Sequence, residues 1–360
     1  MSTKIQPITR SRSLATPAHQ LRKLTGAGSV TLFGLLILLA FLLPLGYMSV
    51  TSLKSLRQIQ DPHSQFLPSS PVTVDYAGKQ LPLLNVPMPD GSVRQLALLT
   101  AGREDSQFLD PANLEAEPIQ WVGRWRVLEA VYKTDPTYDN FPLAWNQIKF
   151  GLLFRNTFII AISGTIGTLL SSIVVAYGFA RFRIPGINVI FLVLMATIIL
   201  PSEVTLIPTY VFFRLIGWGG TWWPLIIPHF FANAYNVFLL RQYFRGIPKD
   251  LDEAAAIDGA SPLRILLNVI IPQSWPALTA VAMFHFFFAW NDFFKPLVYL
   301  QARGELYPIS VALTQFNNIY ATQPGMLMAA AIMAIALPVV IFFLAQRQFM
   351  QGIVITGVDK

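Results

Sequence analysis

Long apolar runs separated by short charged segments fill most of the chain. Residues 30–48 carry no charge and match the roughly 20 residues needed to cross a bilayer core. Comparable runs follow at 156–180, 187–207, 222–240, 275–300 and 326–345. Each is apolar on every side, as expected of a helix surrounded by lipid or by other helices rather than one half-buried on a soluble core. The pattern predicts six transmembrane helices. Pro201 and Pro208 predict a break in the third, and Pro338 a kink in the sixth. The first run follows a long basic segment and has no small-residue cleavage site after it, so it reads as a retained span rather than a signal peptide.

Between the first two runs the pattern changes. Residues 72–76 alternate apolar and polar, and 80–86 and 93–99 flank the turn signal Pro89-Asp90-Gly91, which predicts paired strands. Residues 103–118 are polar and acidic and read as a loop. Phe141, Ala144, Trp145, Ile148 and Leu152 fall at helical spacing, predicting an amphipathic helix on the membrane surface before span two. A lobe of about 100 residues is near the lower limit for a self-sufficient core, so it leans on the membrane domain or on a partner.

Composition agrees with this division. Hydrophobic residues make up 54% of the 360-residue chain and charged residues 12%, against about 25% in soluble domains. The absence of cysteine excludes disulfides and thiolate chemistry. The net charge of +7 matters through its placement. Lys4, Arg10, Arg12, Arg22, Lys23, Arg181, Arg183, Arg241, Arg245, Lys249, Arg264, Arg347 and Lys360 fall on one side of the predicted spans. Only Arg214, Lys295 and Arg303 occupy the short loops opposite. Basic residues resist translocation, which predicts cytoplasmic termini and an external lobe. Membrane lipid is an expected partner and nucleic acid is not.

Candidate chemistry inside the spans is sparse. His19, His63, His229 and His285 are scattered, with no H-E-x-x-H spacing, so no metal site is expected. His229, Asn233 and Asn236 fall at i, i+4 and i+7 on span four, beside Trp222, Phe230 and Tyr235. That stripe suits a hydroxylated solute, or equally an interhelical contact. Glu203 either lines a pathway or holds the break in span three, and Asn291 is a further pathway candidate. Asp292 and Lys295, one turn apart, predict an ion pair, whereas His285 reads as a packed residue on an aromatic face. Ser163, Gly167 and Ser171, and Ala330 with Ala334, predict close helix packing.

The segment joining spans four and five is more specific. Asp250, Asp252 and Glu253 crowd a first helical turn after Pro248, Gly259 can terminate that helix, and Ser261-Pro262 starts another. Leu251, Ala254, Ala255 and Asp258 share a small, shallow face. On local pattern alone this is a docking face or simply a well-capped connector.

The order Glu253-Ala254-Ala255, Asp258-Gly259-Ala260, Ile271-Pro272 resembles the EAA loop of binding-protein-dependent ABC importers. Asn156-Thr157, Ala180-Arg181-Phe182-Arg183, Pro208 with Tyr210, Arg241-Gln242-Tyr243-Phe244 and Trp290-Asn291-Asp292 narrow the resemblance to maltose-type carbohydrate permeases. It covers about residues 138–358; residues 51–137 depart from it. The resemblance implies an all-α, six-helix type I importer permease, to which the strand pattern of the departing segment adds a small β-rich extracytoplasmic insertion. Its parts would be a tail 1–29, helix 30–50, lobe and interfacial helix 51–150, core 151–345 and tail 346–360. The coupling loop 245–272 would seat Asp252, Glu253, Ala254, Ala255, Asp258, Gly259 and Ala260 against a cytoplasmic ATPase and pass its motion to span five as a stiff lever. Two such ATPases, a second homologous permease and an extracytoplasmic solute-binding protein are the implied partners, in a bacterial inner membrane. No G-x-x-x-x-G-K-[ST] phosphate loop occurs, so this chain is not expected to be an enzyme, and ATP with Mg belongs to the ATPase subunit. A sugar or oligosaccharide is the expected solute. Glycerol phosphate or an amino acid is the alternative within the family, and a secondary transporter the alternative outside it.

Overall fold

A computed structural model describes residues 17–61, 64–316 and 322–353. The positions Lys4, Arg10, Arg12, His63 and Lys360 lie outside them. Helix α1 (Pro17–Ser52) contains the first apolar run, and residues 28–52 present a most apolar window with none of its side chains buried in the protein. A stretch this long and apolar, left uncovered by the rest of the chain, is long enough to cross a bilayer core. Short α2 (Leu56–Gln60) begins where Ser55 Oγ accepts the Gln58 amide hydrogen at 3.2 Å. Buried Gln58 then donates its side-chain amide to the Leu67 carbonyl at 2.7 Å, fixing the entry into the lobe.

Seven strands build the lobe: β1 (Ser69–Pro71), β2 (Thr73–Tyr76), β3 (Lys79–Pro87), β4 (Val93–Thr100), β5 (Asp105–Leu109), β6 (Ile119–Val122) and β7 (Tyr132–Thr134). Strands β2 to β6 form an antiparallel meander in sequence order, and β1 pairs with β7. The predicted hairpin is present, with Leu84 opposite Leu96 and Pro87 opposite Val93. Gly91 adopts φ +81° in its turn, where Asp90 Oδ1 accepts the Ser92 amide hydrogen at 2.9 Å. Period-two alternation gives β3 two apolar faces. Leu84 and Val86 pack with Leu96, Leu98 and Phe108, while Leu81 and Leu83 pack with Ala97 and Leu109. The segment 103–118 is not a loop throughout, because β5 lies within it and buries Ser106, Phe108 and Leu109. Its acidic residues Glu104, Asp105 and Asp110 sit at the strand ends, which made the stretch look polar.

The lobe's exit is stitched to its entry: Asn140 Nδ2 donates to the carbonyls of Ser52 at 2.8 Å and Lys54 at 2.9 Å. The interfacial helix is shorter than its periodicity suggested. Helix α3 (Asn140–Gln147) ends, Lys149 turns the chain at φ +53°, and α4 (Phe150–Arg181) begins. Ala144 and Ile148 are buried while Trp145 is exposed.

Unbroken α4 is the central span, burying Leu153, Thr157, Ile160, Gly164, Thr168 and Ser172 along one side. The third run breaks as expected: α5 (Ile187–Ala196) with a 3-10 turn meets α6 (Ser202–Leu215) at 97° across Leu200 and Pro201. Pro208 lies inside α6 without interrupting it. The fourth run departs from expectation. It consists of α7 (Trp223–Ile226), a 3-10 turn (Ile227–Phe230) and, after an extended stretch, α8 (Ala234–Gly246). Pro224 and Pro228 cannot donate helical hydrogen bonds, and Asn233 caps a new helix by accepting the Tyr235 amide hydrogen at 3.0 Å.

Next come α9 (Asp250–Ile257) and α10 (Pro262–Ile265), a π turn (Leu266–Ile270) and α11 (Ile271–Gln273). Helix α12 (Trp275–Asn291) then leaves at 82° to the preceding segment. The path from the elbow into span five therefore turns a second time, at Ser274. The fifth run also breaks at Asp292 and Phe293 before α13 (Phe294–Tyr299). Short α14 (Ile309–Ala312) precedes α15 (Pro324–Ile353), which runs unbroken through Pro338. Among the described residues, three helices are long and apolar enough to cross a membrane, or five structures if each bent pair counts as one.

Candidate functional site

Two regions of the helical part collect the residues of interest. The first is the elbow between α8 and α12. Helix α9 ends in a Schellman arrangement: the Ala260 amide donates to Ala255 O at 2.9 Å, the Gly259 amide to Ala256 O at 3.0 Å, and Gly259 has φ +81°. Ser261 Oγ accepts the Arg264 amide hydrogen at 3.4 Å and Pro262 occupies the first position of α10. Both arms are thus terminated and restarted by local chemistry.

The predicted elbow residues divide by direction. Glu253, Ala254, Asp258 and Gly259 face outward, with Leu251 exposed beside them. Ala255 and Ala260 pack against the core formed by Tyr177, Leu240, Phe244 and Ile265. Asp252 also turns inward, where its Oδ2 meets Arg181 Nε at 2.6 Å, the two side chains being 17% and 6% exposed. Sequence periodicity missed the most exposed apolar residue, Ile257 at 87%.

Arg181 ties this elbow to α4. Its Nη2 donates to the Ile247 carbonyl at 3.0 Å, just before α9, and Tyr177 Oη, one turn earlier, donates to the Pro262 carbonyl at 3.2 Å. The elbow is therefore bonded to span two as well as continuous with span five. In the sequence Arg181 figured only as one of the cations that set orientation and as part of the resemblance.

The second region lies between the breaks. One cavity of about 340 Å³ is lined by His229, Asn233, Tyr235, Asn236, Phe284, His285, Phe288 and Lys295. A second, of about 360 Å³, brings Glu203 and Asn291 together with Ser202, Asp292 and Lys295. A third, smaller space of about 150 Å³ shares Ser202, His229, Asp292 and Lys295. Lys295 thus borders all three. The pathway candidates divide between two of these cavities, and His229, Asn233 and Asn236 line theirs across a broken backbone rather than as a helical stripe.

Two details differ from the sequence reading. His285 is not alone: its ring centroid lies 4.4 Å from that of His229, and its Nδ1 is 3.2 Å from Thr168 Oγ1. Among the described residues, however, no group of three or more His, Asp or Glu is placed to hold a metal ion. Asp292 and Lys295 do not pair through their charged ends. Asp292 Oδ1 accepts the Lys295 backbone hydrogen at 3.4 Å, and Lys295 Nζ lies 5.2 Å from the Phe288 ring centroid. The extended backbone at Asp292 separates the two side chains that helical spacing would have aligned.

Close packing holds the breaks in place. A Cβ added at Gly167 would lie 2.6 Å from Phe230 Cδ2, and Ser171 Oγ donates to the His229 carbonyl at 3.2 Å. Asn156 Nδ2 donates to the carbonyls of Glu305 at 2.9 Å and Tyr307 at 3.1 Å, while Thr157 Oγ1 accepts the Ile309 amide hydrogen at 2.9 Å. These bonds pin the segment before α14 to α4.

Comparison with known proteins matches residues 167–354 to the family described as binding-protein-dependent transport system inner membrane component. The chain is 31% identical over 241 residues to the osmoprotective compounds uptake permease protein GgtD of Synechocystis sp., covering 67% of this chain and 80% of that one. It is 32% identical over 214 residues to the sn-glycerol-3-phosphate transport system permease protein UgpE of Pectobacterium atrosepticum, covering 58% and 74%. A solved chain from a bacterial ABC transporter that imports the acidic polysaccharide alginate shares the fold, with a TM-score of 0.64 and 20% identity over 93% of this chain and 98% of that one. A match of that extent takes in more than the helical core and reaches the β lobe.

Proposed function

The chain belongs to the family of binding-protein-dependent transport system inner membrane components, the permeases of ABC importers, and from that premise we propose that it carries a sugar or oligosaccharide inward by ATP-driven alternating access. The observation that carries the coupling part is the capped elbow joined to α4 through Arg181 and Asp252. A rigid, outward-facing helix of eight residues gives an external motor a handle, and two buried attachments convey its displacement to spans two and five.

In this reading Glu253, Ala254, Asp258 and Gly259 meet a cytoplasmic ATPase, with Ile257 and Leu251 supplying apolar contact area. The basic loops place the elbow and both termini in the cytoplasm and the β lobe outside. The fourth crossing is completed by α7 and α8 despite the break between them, giving six crossings with α1, α4, α5–α6, α12–α13 and α15. A second permease, two ATPase subunits holding ATP and Mg, and a solute-binding protein complete the importer.

Neutral donors and acceptors at Asn233, Asn236 and Asn291 beside Tyr235, Phe284 and Phe288 suit the alternating hydroxyl and C–H surfaces of a sugar. Lys295, bordering all three cavities between the breaks, favours a second reading in which the solute carries a phosphate or carboxylate, as the glycerol-phosphate relatives carry theirs. The test is uptake by the reconstituted complex with its solute-binding protein. Saturable, ATP-dependent entry of a neutral saccharide is expected. Uptake that continues without ATP overturns the coupling reading, and uptake of only anionic solutes overturns the sugar reading.

A further inference from the structure

A separate pocket of about 300 Å³ opens where α4 ends, α5 begins and α8 ends, lined by Phe179, Ala180, Arg181, Asn188, Arg241, Arg245 and Lys249. Four of its seven lining residues are cations and none is an acid. Like charges gathered around one cavity repel unless an anion sits between them. Asp252 is engaged by Arg181 and does not line the space. Two cations are also held in place. The Arg241 guanidinium lies 4.0 Å from the Phe191 ring centroid, and the Arg181 side chain is 6% exposed. Buried nitrogens on both, Arg181 Nη1 and Arg241 Nε, lack a hydrogen-bond partner. Buried donors are ordinarily satisfied, so these mark an incomplete site.

The surroundings say which anion. Helix α5, which forms one rim, buries none of its residues, and Val189, Ile190, Leu192 and Val193 are all exposed. Phe179 lines the pocket, and its ring centroid lies 5.3 Å from that of Phe191, the ring against which Arg241 stacks. An anionic head group in the pocket would therefore have an uncovered apolar helix beside it for its tails.

We propose that this pocket binds the phosphate head group of an anionic phospholipid of the inner leaflet, with acyl chains lying along α5. Basic pockets between helix ends at the cytoplasmic face suit such head groups. The leaflet rests on the orientation given above; the binding itself depends neither on the solute carried nor on transport. Because Arg181 belongs both to the pocket and to the elbow, a bound lipid would sit beside the joint that an ATPase moves.

The test is native mass spectrometry of the full chain purified with its co-expressed partner subunits, stripped of lipid and titrated with phosphatidylglycerol, phosphatidylcholine or inorganic phosphate. One phosphatidylglycerol per chain is expected, with no retained phosphatidylcholine. Arg241→Gln with Arg245→Gln should weaken retention roughly thirty-fold, the loss of two cations facing the head group, while Arg241→Lys should hold within about threefold. Since the chain has no cysteine, Arg245→Cys provides a single thiol whose alkylation phosphatidylglycerol should slow. Equal retention by the double variant, equal binding of phosphatidylcholine, displacement by inorganic phosphate at micromolar concentration, or protection of the thiol by the ATPase subunits alone would each overturn the proposal.

Discussion

Arg181 Nε and Asp252 Oδ2 meet at 2.6 Å where the last turn of α4 passes the first turn of α9. The pair is largely enclosed, so removing one partner strands a desolvated charge. Arg181→Met or Asp252→Leu alone should destabilise the assembled chain by about 3–5 kcal/mol, whereas the double substitution should cost far less than the sum. Thermal unfolding of the purified protein and its two single and one double variants measures the coupling. Additive losses would show that the contact does not link the elbow to span two.

Gly259 tests the elbow without disturbing its packing. An added Cβ there meets nothing within 4 Å, so the whole penalty arises from φ +81°. Gly259→Val should cost about 1–2 kcal/mol of local backbone strain, too little to unfold the chain but enough to distort the joint. Gly259→Asn, which tolerates this conformation, should behave nearly as the parent. The measurement is solute moved per ATP hydrolysed in proteoliposomes, with the valine variant inserted normally but moving less. An unchanged ratio for valine would remove Gly259 from the coupling role.

The elbow was legible because its signals are local. Acids in a first turn, a glycine stop and a Ser-Pro start each act within four residues, and all three appear at their expected positions. The β3–β4 hairpin was legible for the same reason. What escaped depends on partners distant in sequence. Nothing near Arg181 announces Asp252, and nothing near His285 announces His229. Span four defeated hydropathy because a run can be apolar throughout and still be broken by Pro224, Pro228 and an Asn233 cap. Strand β5 was hidden by acids at its ends, and Asp292 lost its helical register with Lys295 when the backbone became extended.

Two glycines on α4 distinguish packing from propensity. A Cβ at Gly167 would press on Phe230, whereas one at Gly178 meets nothing within 4 Å. Gly167→Ala should destabilise by about 1–3 kcal/mol, because the ring must shift within a tightly packed turn. Gly178→Ala should be neutral or stabilising by up to about 1 kcal/mol, since alanine is the better helix former. Comparing melting temperatures of the two variants in the same detergent decides the matter. If both respond alike, the approach of α4 to the 3-10 turn is not a tight one.

Asn156 offers a check on the opposite end of α4. Its amide donates to two carbonyls, Glu305 O and Tyr307 O, from a fully buried position. Asn156→Leu retains bulk but leaves both acceptors unsatisfied, at about 1–3 kcal/mol each. The expected readout is faster proteolysis of the segment around Gly304 with the rest of the chain intact. Unchanged cleavage there would mean that other contacts suffice to hold it.

Lys295 decides between a neutral and an anionic solute. Its ammonium faces the Phe288 ring instead of a carboxylate, and it borders the cavities that hold His229, Asn233, Asn236, Glu203 and Asn291. If the solute is a sugar, hydroxyls exchange hydrogen bonds with the asparagines, and Lys295→Met should change KM for uptake by less than about threefold, within the worth of one neutral hydrogen bond. If it carries a phosphate or carboxylate, the same change removes a charge-assisted bond worth about 1.5–3 kcal/mol and should raise KM by roughly ten- to a hundred-fold. Lys295→Arg separates charge from shape, because it restores the cation without the compact ammonium. A large loss in methionine recovered by arginine would assign the cavity to an anion, whereas a small loss in both would leave the hydroxyl-binding asparagines as the groups that select the solute.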